Sequence, residues 1–582
     1  MTERTNLYRK LAYVVAMALL LFPLSYFGSP MSYKYSPEGK PIEGQGGYLA
    51  EFRSDNGLAQ ANLGDIDPAS ETLKLATLGL RGVAVSQLWS KANEYKMKED
   101  WGNLTATLEQ LSKLQPNFIT FWKYQAWNLT YNVSVEFDDY RDRYYYVRRG
   151  IQFLEQGEEY NRENPQIQWE LGWFIGQKIG RADEKVQYRR LFRNDDVFHP
   201  EDRPLDQRDN WLVSKEWYRI ADRSADKRGI GRKSPIVFYS SAPKSQINYA
   251  DAIESEGEFD RGLAAWKLAG REWDGFGNAE LEHSTGTLLH LNDEESLQEE
   301  LDALRQKLKE LAPEVATAYL EGLRSGLSPE QQEALDTPSD ERSVEQLGLA
   351  MQAERMLTPE DQVLVSKIVE AHPDKRVAAL RLNEELNHVA DRLRKTKNYK
   401  QTANFDYWKL RCTFEQTPAA IDAHRYCYQA KQVMINDANA ERAKELYEQG
   451  LAKWQEVLEA FPGLRDRDGT TGDDILVYII EYAAVLEKID EEMPDDFPLW
   501  DIIEHFDFDG ALSEEMEVHK KRMGENAAGG SAVEDAPEAA PDQEDPQDAV
   551  DSASPNEPAA PAAADSQHDN AIDAEQQSGD AE

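Results

Sequence analysis

Residues 247–273 read INYADAIESEGEFDRGLAAWKLAGREW, and the fold is decided in this stretch. Its apolar residues recur at three- and four-residue steps, the spacing that keeps one face of a helix apolar, while strand-like alternation is absent. Gly257 interrupts the pattern where a turn is needed, and Phe259 opens a second helix. Ala250 on the first helix, with Gly262 and Ala269 on the second, are small enough for two backbones to approach closely. Trp266 is large enough to fill the space opposite. The stretch predicts a helical hairpin, which is a packing pattern with no reactive group of its own.

Two further stretches carry the same pattern. Residues 84–116, AVSQLWSKANEYKMKEDWGNLTATLEQLSKLQP, place Leu88, Ala92 and Tyr95 on a first helix and Trp101, Leu104, Leu108 and Leu111 on a second, ending at Pro116. A next unit opens at Ile119 and brings Trp122, Ala126 and Leu129 to matching positions, with an insertion extending it to Asn164-Pro165. Residues 423–462 offer Lys431 and Met434, then Ala443, Tyr447 and Gly450, and end at Pro462. Leu171-Gly172 suggests another degenerate unit. These segments resemble tetratricopeptide repeats, whose period is about 34 residues. The expected fold is mainly α, a solenoid of tetratricopeptide-like hairpins. The only strand-like candidate is Ile236-Val237-Phe238-Tyr239, which reads equally as a helix lead-in.

The block from Leu80 to Phe192, through LRGVAVSQLW, LQPNFITFWKYQAWNLTYNVSVEF, RRGIQFLEQG and ELGWFIGQKIG, is similar to a bacterial protein family with an N-terminal signal anchor and degenerate tetratricopeptide repeats. That resemblance implies fold and export and assigns no activity.

The two ends read differently from the middle. Arg4, Arg9 and Lys10 precede Leu11 to Phe27, LAYVVAMALLLFPLSYF, an uncharged run at the short limit for a spanning helix. Signal peptidase takes small residues at the third position before its cut, but Tyr26 or Pro23 stands there for cuts after Gly28 or Ser25. An uncleaved anchor is expected, with a cleaved signal as the alternative and the rest of the chain outside the cytoplasm. The 582 residues carry a net charge of −42, of which −16 falls after Arg522, where no Lys or Arg occurs. With Val533, Val550 and Ile572 as its only branched aliphatics, this tail is expected to be disordered. The expected organisation is an anchor at 1–30, a Gly- and Pro-rich linker at 31–72, repeats at 73–290, connecting helices at 291–400, a second repeat region at 401–522 and the acidic tail at 523–582.

Chemistry is scarce. The acidic balance argues against nucleic acid, which needs a basic surface to displace counterions. There is no G-x-S-x-G, H-E-x-x-H or Walker loop: RGIGRKS lacks the lysine directly after its glycine, and GFGNAE has Glu280 where a third glycine belongs. Glu280-x-x-His283 and Glu385-x-x-His388 repeat a di-iron spacing, but solvent-facing residues are the expected reading. Asp466-x-Asp468-Gly469 and Asp507-x-Asp509-Gly510 lack the remaining ligands of a calcium loop, and capping by Asp473 or Asp474 is expected to explain the first. Cys412 and Cys427 are too few for a disulfide scaffold, although they can pair in an oxidising compartment. Leu297, Leu301, Leu304, Leu308 and Leu311 form an amphipathic stripe, expected to be an internal helix rather than a dimerising coiled coil. The basic cluster Arg223, Lys227, Arg228, Arg232 and Lys233 reads as a solvated connector or, alternatively, an anion-docking patch.

No catalytic, cofactor-binding or metal-ligating residue is assigned, and no cofactor is expected. The expected function is a membrane-tethered interaction scaffold of the cell envelope with one or more protein partners and no catalysis. The alternative is an envelope enzyme or glycan binder using carboxylates and the aromatic residues Trp122, Tyr124, Trp127, Tyr131 and Tyr144 to Tyr146.

Overall fold

The computed structural model describes residues 33–35, 41–43, 48, 81–231, 233–339, 341–465 and 469–529. The expected anchor at 1–30, Arg232, Asp466 and Asp468, and the acidic tail beyond Gly529 lie outside them. Among the described residues no helix is long and apolar enough to cross a membrane.

These residues form 21 α-helices and two short antiparallel strand pairs, so the chain is mainly α. The first pair, β1 (Tyr33–Tyr35) and β2 (Pro41–Glu43), falls in the segment expected to be an irregular linker. Gly and Pro between the strands suppress helix, yet they are what a hairpin connection uses. The chain divides into two units, Met1–Lys520 and Lys521–Glu582. Of the second, the described part is the end of a helix that runs on to Gly529, so residues 523–529 of the expected disordered tail are helical.

Helices pair in chain order. α1 (Arg81–Met97) packs on α2 (Trp101–Leu114), burying Ala92, Leu104, Leu108 and Leu111. α3 (Ile119–Trp127) runs into a π-helical turn, Asn128–Val133, and packs on α4 (Tyr140–Tyr160). α5 (Pro165–Trp173) likewise passes into a π turn, Phe174–Lys178, before α6 (Lys185–Arg193). α7 (Asn210–Arg228) lies against α5, where Gly172 faces the ring of Tyr218.

The quoted stretch is the hairpin of α8 (Pro235–Ser255) and α9 (Phe259–Gly277). Ala250, Trp266, Ala269 and Trp273 are fully buried in its seam. Gly257 takes φ of +86°, open to glycine at little cost, and a side chain there would meet the ring of Tyr428. Ile236–Tyr239 lies in the first turns of α8, which settles that segment as helix. Gly275 and Gly277 end α9 as helical residues and make no dinucleotide loop.

A strand pair, β3 (Leu281–Glu282) and β4 (Leu288–Leu289), leads to α10 (Glu294–Leu311). Its leucine stripe is buried within the chain against α15 (Arg376–Ala403). Between them lie α11 (Pro313–Ser325), α12 (Pro329–Asp336), α13 (Val344–Leu357) and α14 (Asp361–Ala371). Capping boxes at Ser328 with Gln331, and at Ser343 with Gln346, start α12 and α13 by satisfying free backbone N–H groups at both helix starts.

α16 (Phe405–Phe414) then returns to the α8–α9 hairpin. α17 (Pro418–Asp437) and α18 (Ala440–Ala460) pair next, with Gly450 against the sulfur of Cys427. α19 (Thr471–Glu487), α20 (Trp500–Phe506) and α21 (Ser513–Gly529) complete the described chain.

Candidate functional site

The residues singled out for chemistry in the sequence scatter. Glu385 and His388 are exposed on α15, Glu280 is exposed after α9, and His283 lies in the β3–β4 turn, so no di-iron constellation forms among them. Asp473 and Asp474 do not cap α19: Thr470 holds the N-cap position without a side-chain bond, and Asp474 pairs with Arg411 at 3.0 Å. Asp507 accepts the N–H groups of Ala511 and Leu512, each at 2.8 Å, which gives its loop a structural reason. Cys412 and Cys427 are free and buried, and burial pushes the Cys412 thiol up to about 12, so it is no ready nucleophile.

The basic cluster that spans the last turns of α7 and the connection to α8 is partly tied down. Lys227 pairs with Glu163 at 3.0 Å, and Lys233 pairs with Glu170 at 3.2 Å while lying 3.5 Å from the centre of the Trp169 ring. Glu170 also holds Lys123 at 2.7 Å. These contacts pin the connection between α7 and α8 onto α5 and the residues just before it.

Two arrangements remain. The first is a row of aromatic rings on the N-terminal helices. Trp89 of α1 lies 5.2 Å from Phe121 and 5.7 Å from Tyr124 of α3; the row continues through Trp127 at 6.3 Å and Tyr131 at 6.2 Å to Trp173 of α5 at 6.1 Å. The two π turns carry or border its far end, and such turns are frequent where function needs a displaced side chain. Trp89 is 40% exposed and Trp127 is 38% exposed, whereas Trp122 and Tyr144 from the same sequence group are core residues. Lys96 borders Tyr124 at 5.6 Å and Lys178 borders Tyr131 at 4.5 Å. The row is therefore apolar with a cationic edge.

The second is a buried polar cluster that sequence reasoning missed. Asp251 and Glu254 come from the last turns of α8, Arg411 from α16 and Glu415 from its end, His424 from α17, and Asp474 and Tyr478 from α19. His424 Nε2 lies 3.0 Å from Glu415 Oε2 and 3.7 Å from Glu254 Oε2; His424 Nδ1 lies 3.2 Å from Tyr478 Oη. Trp266 Nε1–H donates to Glu254 Oε2 at 2.9 Å. Arg411 spans the outer side, reaching Asp251 at 2.7 Å, Asp474 at 3.0 Å, Glu415 at 3.4 Å and Thr470 Oγ1 at 2.9 Å. The Glu254 and Glu415 side chains are 4% and 2% exposed, which keeps water from screening these charges.

Burial alone would push the His424 imidazolium down, but the carboxylates of Glu254 and Glu415 outweigh it and hold His424 up at about 9. Burial, helped by the charge of Glu415, pushes Glu254 up to about 7 against the pull of His424. The cluster ties four helices together by charge, and Trp266 adds a hydrogen bond from α9. Its two main parts, 251–266 and 411–424, lie more than a hundred residues apart, so no local motif announces the whole; the local signs are Glu254 with Trp266 and Arg411 with Glu415. Against protein-family models and against curated proteins the chain has no match.

Proposed function

We propose that the chain is a scaffold of tetratricopeptide-like helical hairpins, held by its N-terminal segment on the outer side of a bacterial cytoplasmic membrane, that docks a protein partner and performs no catalysis itself. The observation that supports this reading is the row Trp89, Tyr124, Trp127, Tyr131 and Trp173, with two of its rings more than a third exposed. Tryptophan and tyrosine bury large areas at small cost in side-chain entropy and are enriched where binding energy concentrates. Lys96 and Lys178 at its edge favour a partner segment with an apolar anchor beside acidic residues. The resemblance of residues 80–192 to signal-anchored bacterial repeat proteins supports the location.

The test is affinity purification from detergent-solubilised envelope with the full chain and with a Trp89→Ala/Trp127→Ala variant. A stoichiometric protein retained by the parent chain and lost by a variant of unchanged circular dichroism is expected. Turnover of an envelope polymer by the purified chain overturns the non-catalytic reading. A reporter active only after export, fused after Glu582, is expected to be active.

A further inference from the structure

Two features of the buried cluster have one explanation. Two buried carboxylates, those of Glu254 and Glu415, crowd the one imidazole of His424, while Arg411 is shared with Asp251 and Asp474 at the exposed edge. Glu254 is 4% exposed, yet its Oε1 has no hydrogen-bond partner, which leaves a buried carboxylate oxygen unsatisfied. His424 Nε2 stands between oxygens of both buried carboxylates, a position that a proton or a metal cation can fill.

We propose that Glu254, Glu415 and His424 bind a divalent first-row cation such as zinc or manganese, which fastens the α8–α9 hairpin to α16 and α17. One nitrogen and at least two carboxylate oxygens suit these ions, and no thiolate takes part. The ligand atoms all lie within 4.8 Å of one another. Around a tetrahedral zinc with bonds of about 2.0–2.1 Å, neighbouring ligand atoms stand about 3.3 Å apart; the two separations from His424 Nε2 are 3.0 and 3.7 Å. Glu254 Oε1 has no other partner and is free to share the ion with Oε2 of the same carboxylate. The outer contacts are also in place, since Tyr478 holds the distal nitrogen of His424, Trp266 holds Glu254 and Arg411 holds Glu415. Such contacts orient ligands and fix the imidazole tautomer.

The experiment strips the full chain with a chelator and adds zinc chloride or manganese chloride alone, reading bound metal per chain and the unfolding temperature. One equivalent and a higher unfolding temperature are expected, by mass action on the folded state. Glu254→Gln and His424→Gln should each weaken uptake at least tenfold, about 1.4 kcal/mol, while Glu385→Gln/His388→Ala on exposed α15 should bind as the parent does. Where either cluster variant fails to fold, cobalt in the parent chain is the readout: a ligand-field spectrum of nitrogen and oxygen coordination without a thiolate band is expected. No stoichiometric uptake by the parent, undiminished uptake by folded Glu254→Gln and His424→Gln variants, loss of uptake in the α15 variant, or a thiolate band from Cys412 or Cys427 would each overturn the site.

Discussion

Trp266 joins packing to electrostatics within one side chain. Its indole is fully buried between the arms of the α8–α9 hairpin, and its N–H is the donor that holds Glu254. Trp266→Ala should therefore destabilise the chain by about 3–5 kcal/mol in denaturant unfolding, the range for truncating a large buried ring; a loss below about 0.5 kcal/mol would belong to a surface site. The packing half of this role was legible, because Ala250, Gly262 and Ala269 leave a space that only a large residue fills. The electrostatic half was not, since the partners of Glu254 beyond Trp266 lie on helices that begin more than a hundred residues later. Asp222 shows the converse, an acid without compensation. Its Oδ1 has no partner, and burial pushes it up to about 7, with Arg219 and Arg223 pulling down and Asp226 pushing up. Between the ordinary aspartate range and about 7 the folded chain holds a proton that the unfolded chain has released, so stability falls as pH rises across that window. Asp222→Asn should unfold at higher temperature than the parent at pH 8, with the difference closing toward pH 4; equal curves at both pH values would sink this assignment.

At the scale of elements, the hairpins were readable where small and large residues alternate on neighbouring helices, as in α8–α9 and α17–α18, because close backbone approach leaves a mark in the sequence. Gly257 and Gly348 separate the two uses of glycine. Gly257 has φ of +86° and no room beside Tyr428, whereas Gly348 lies inside α13 with nothing within 4 Å of an added methyl group. Gly257→Ala should cost more than about 1 kcal/mol, and Gly348→Ala should stabilise by about 0.5–1 kcal/mol. Thermal melts of the two variants check the signs; the same sign for both would refute this account of the hairpin turn. The π turns after α3 and α5 were not legible. NLTYNV and FIGQK have the composition of ordinary helix, and a one-residue change in hydrogen-bond step is set by what packs around it. The strand pair of residues 33–35 and 41–43 was not legible for a related reason: Gly and Pro argue against helix without arguing against a short strand pair.

Across the unit Met1–Lys520, remote segments meet on the α8–α9 hairpin. Trp273 stacks on Phe405 at 5.5 Å and donates to its carbonyl at 3.0 Å, joining residues 132 apart in sequence. Arg411 reaches Asp251 of α8 across 160 residues. Repeat proteins whose neighbours alone touch unfold piecemeal, but these contacts make the C-terminal helices depend on the hairpin. Phe405 is the test residue, since it is 1% exposed and also packs on Phe276. In the parent chain, tryptophan fluorescence and far-ultraviolet circular dichroism should report one coincident transition for the segments around this junction. Phe405→Ala removes the stacked ring while leaving Ala250, Trp266 and Ala269 in the α8–α9 seam, and the α17–α18 core, in place. It should split that transition, with amides of residues 405–487 exchanging before those of residues 235–277. Coincident transitions in the variant, with protection lost equally in both segments, would mean that the two regions are coupled through other contacts and that Phe405 only fills space.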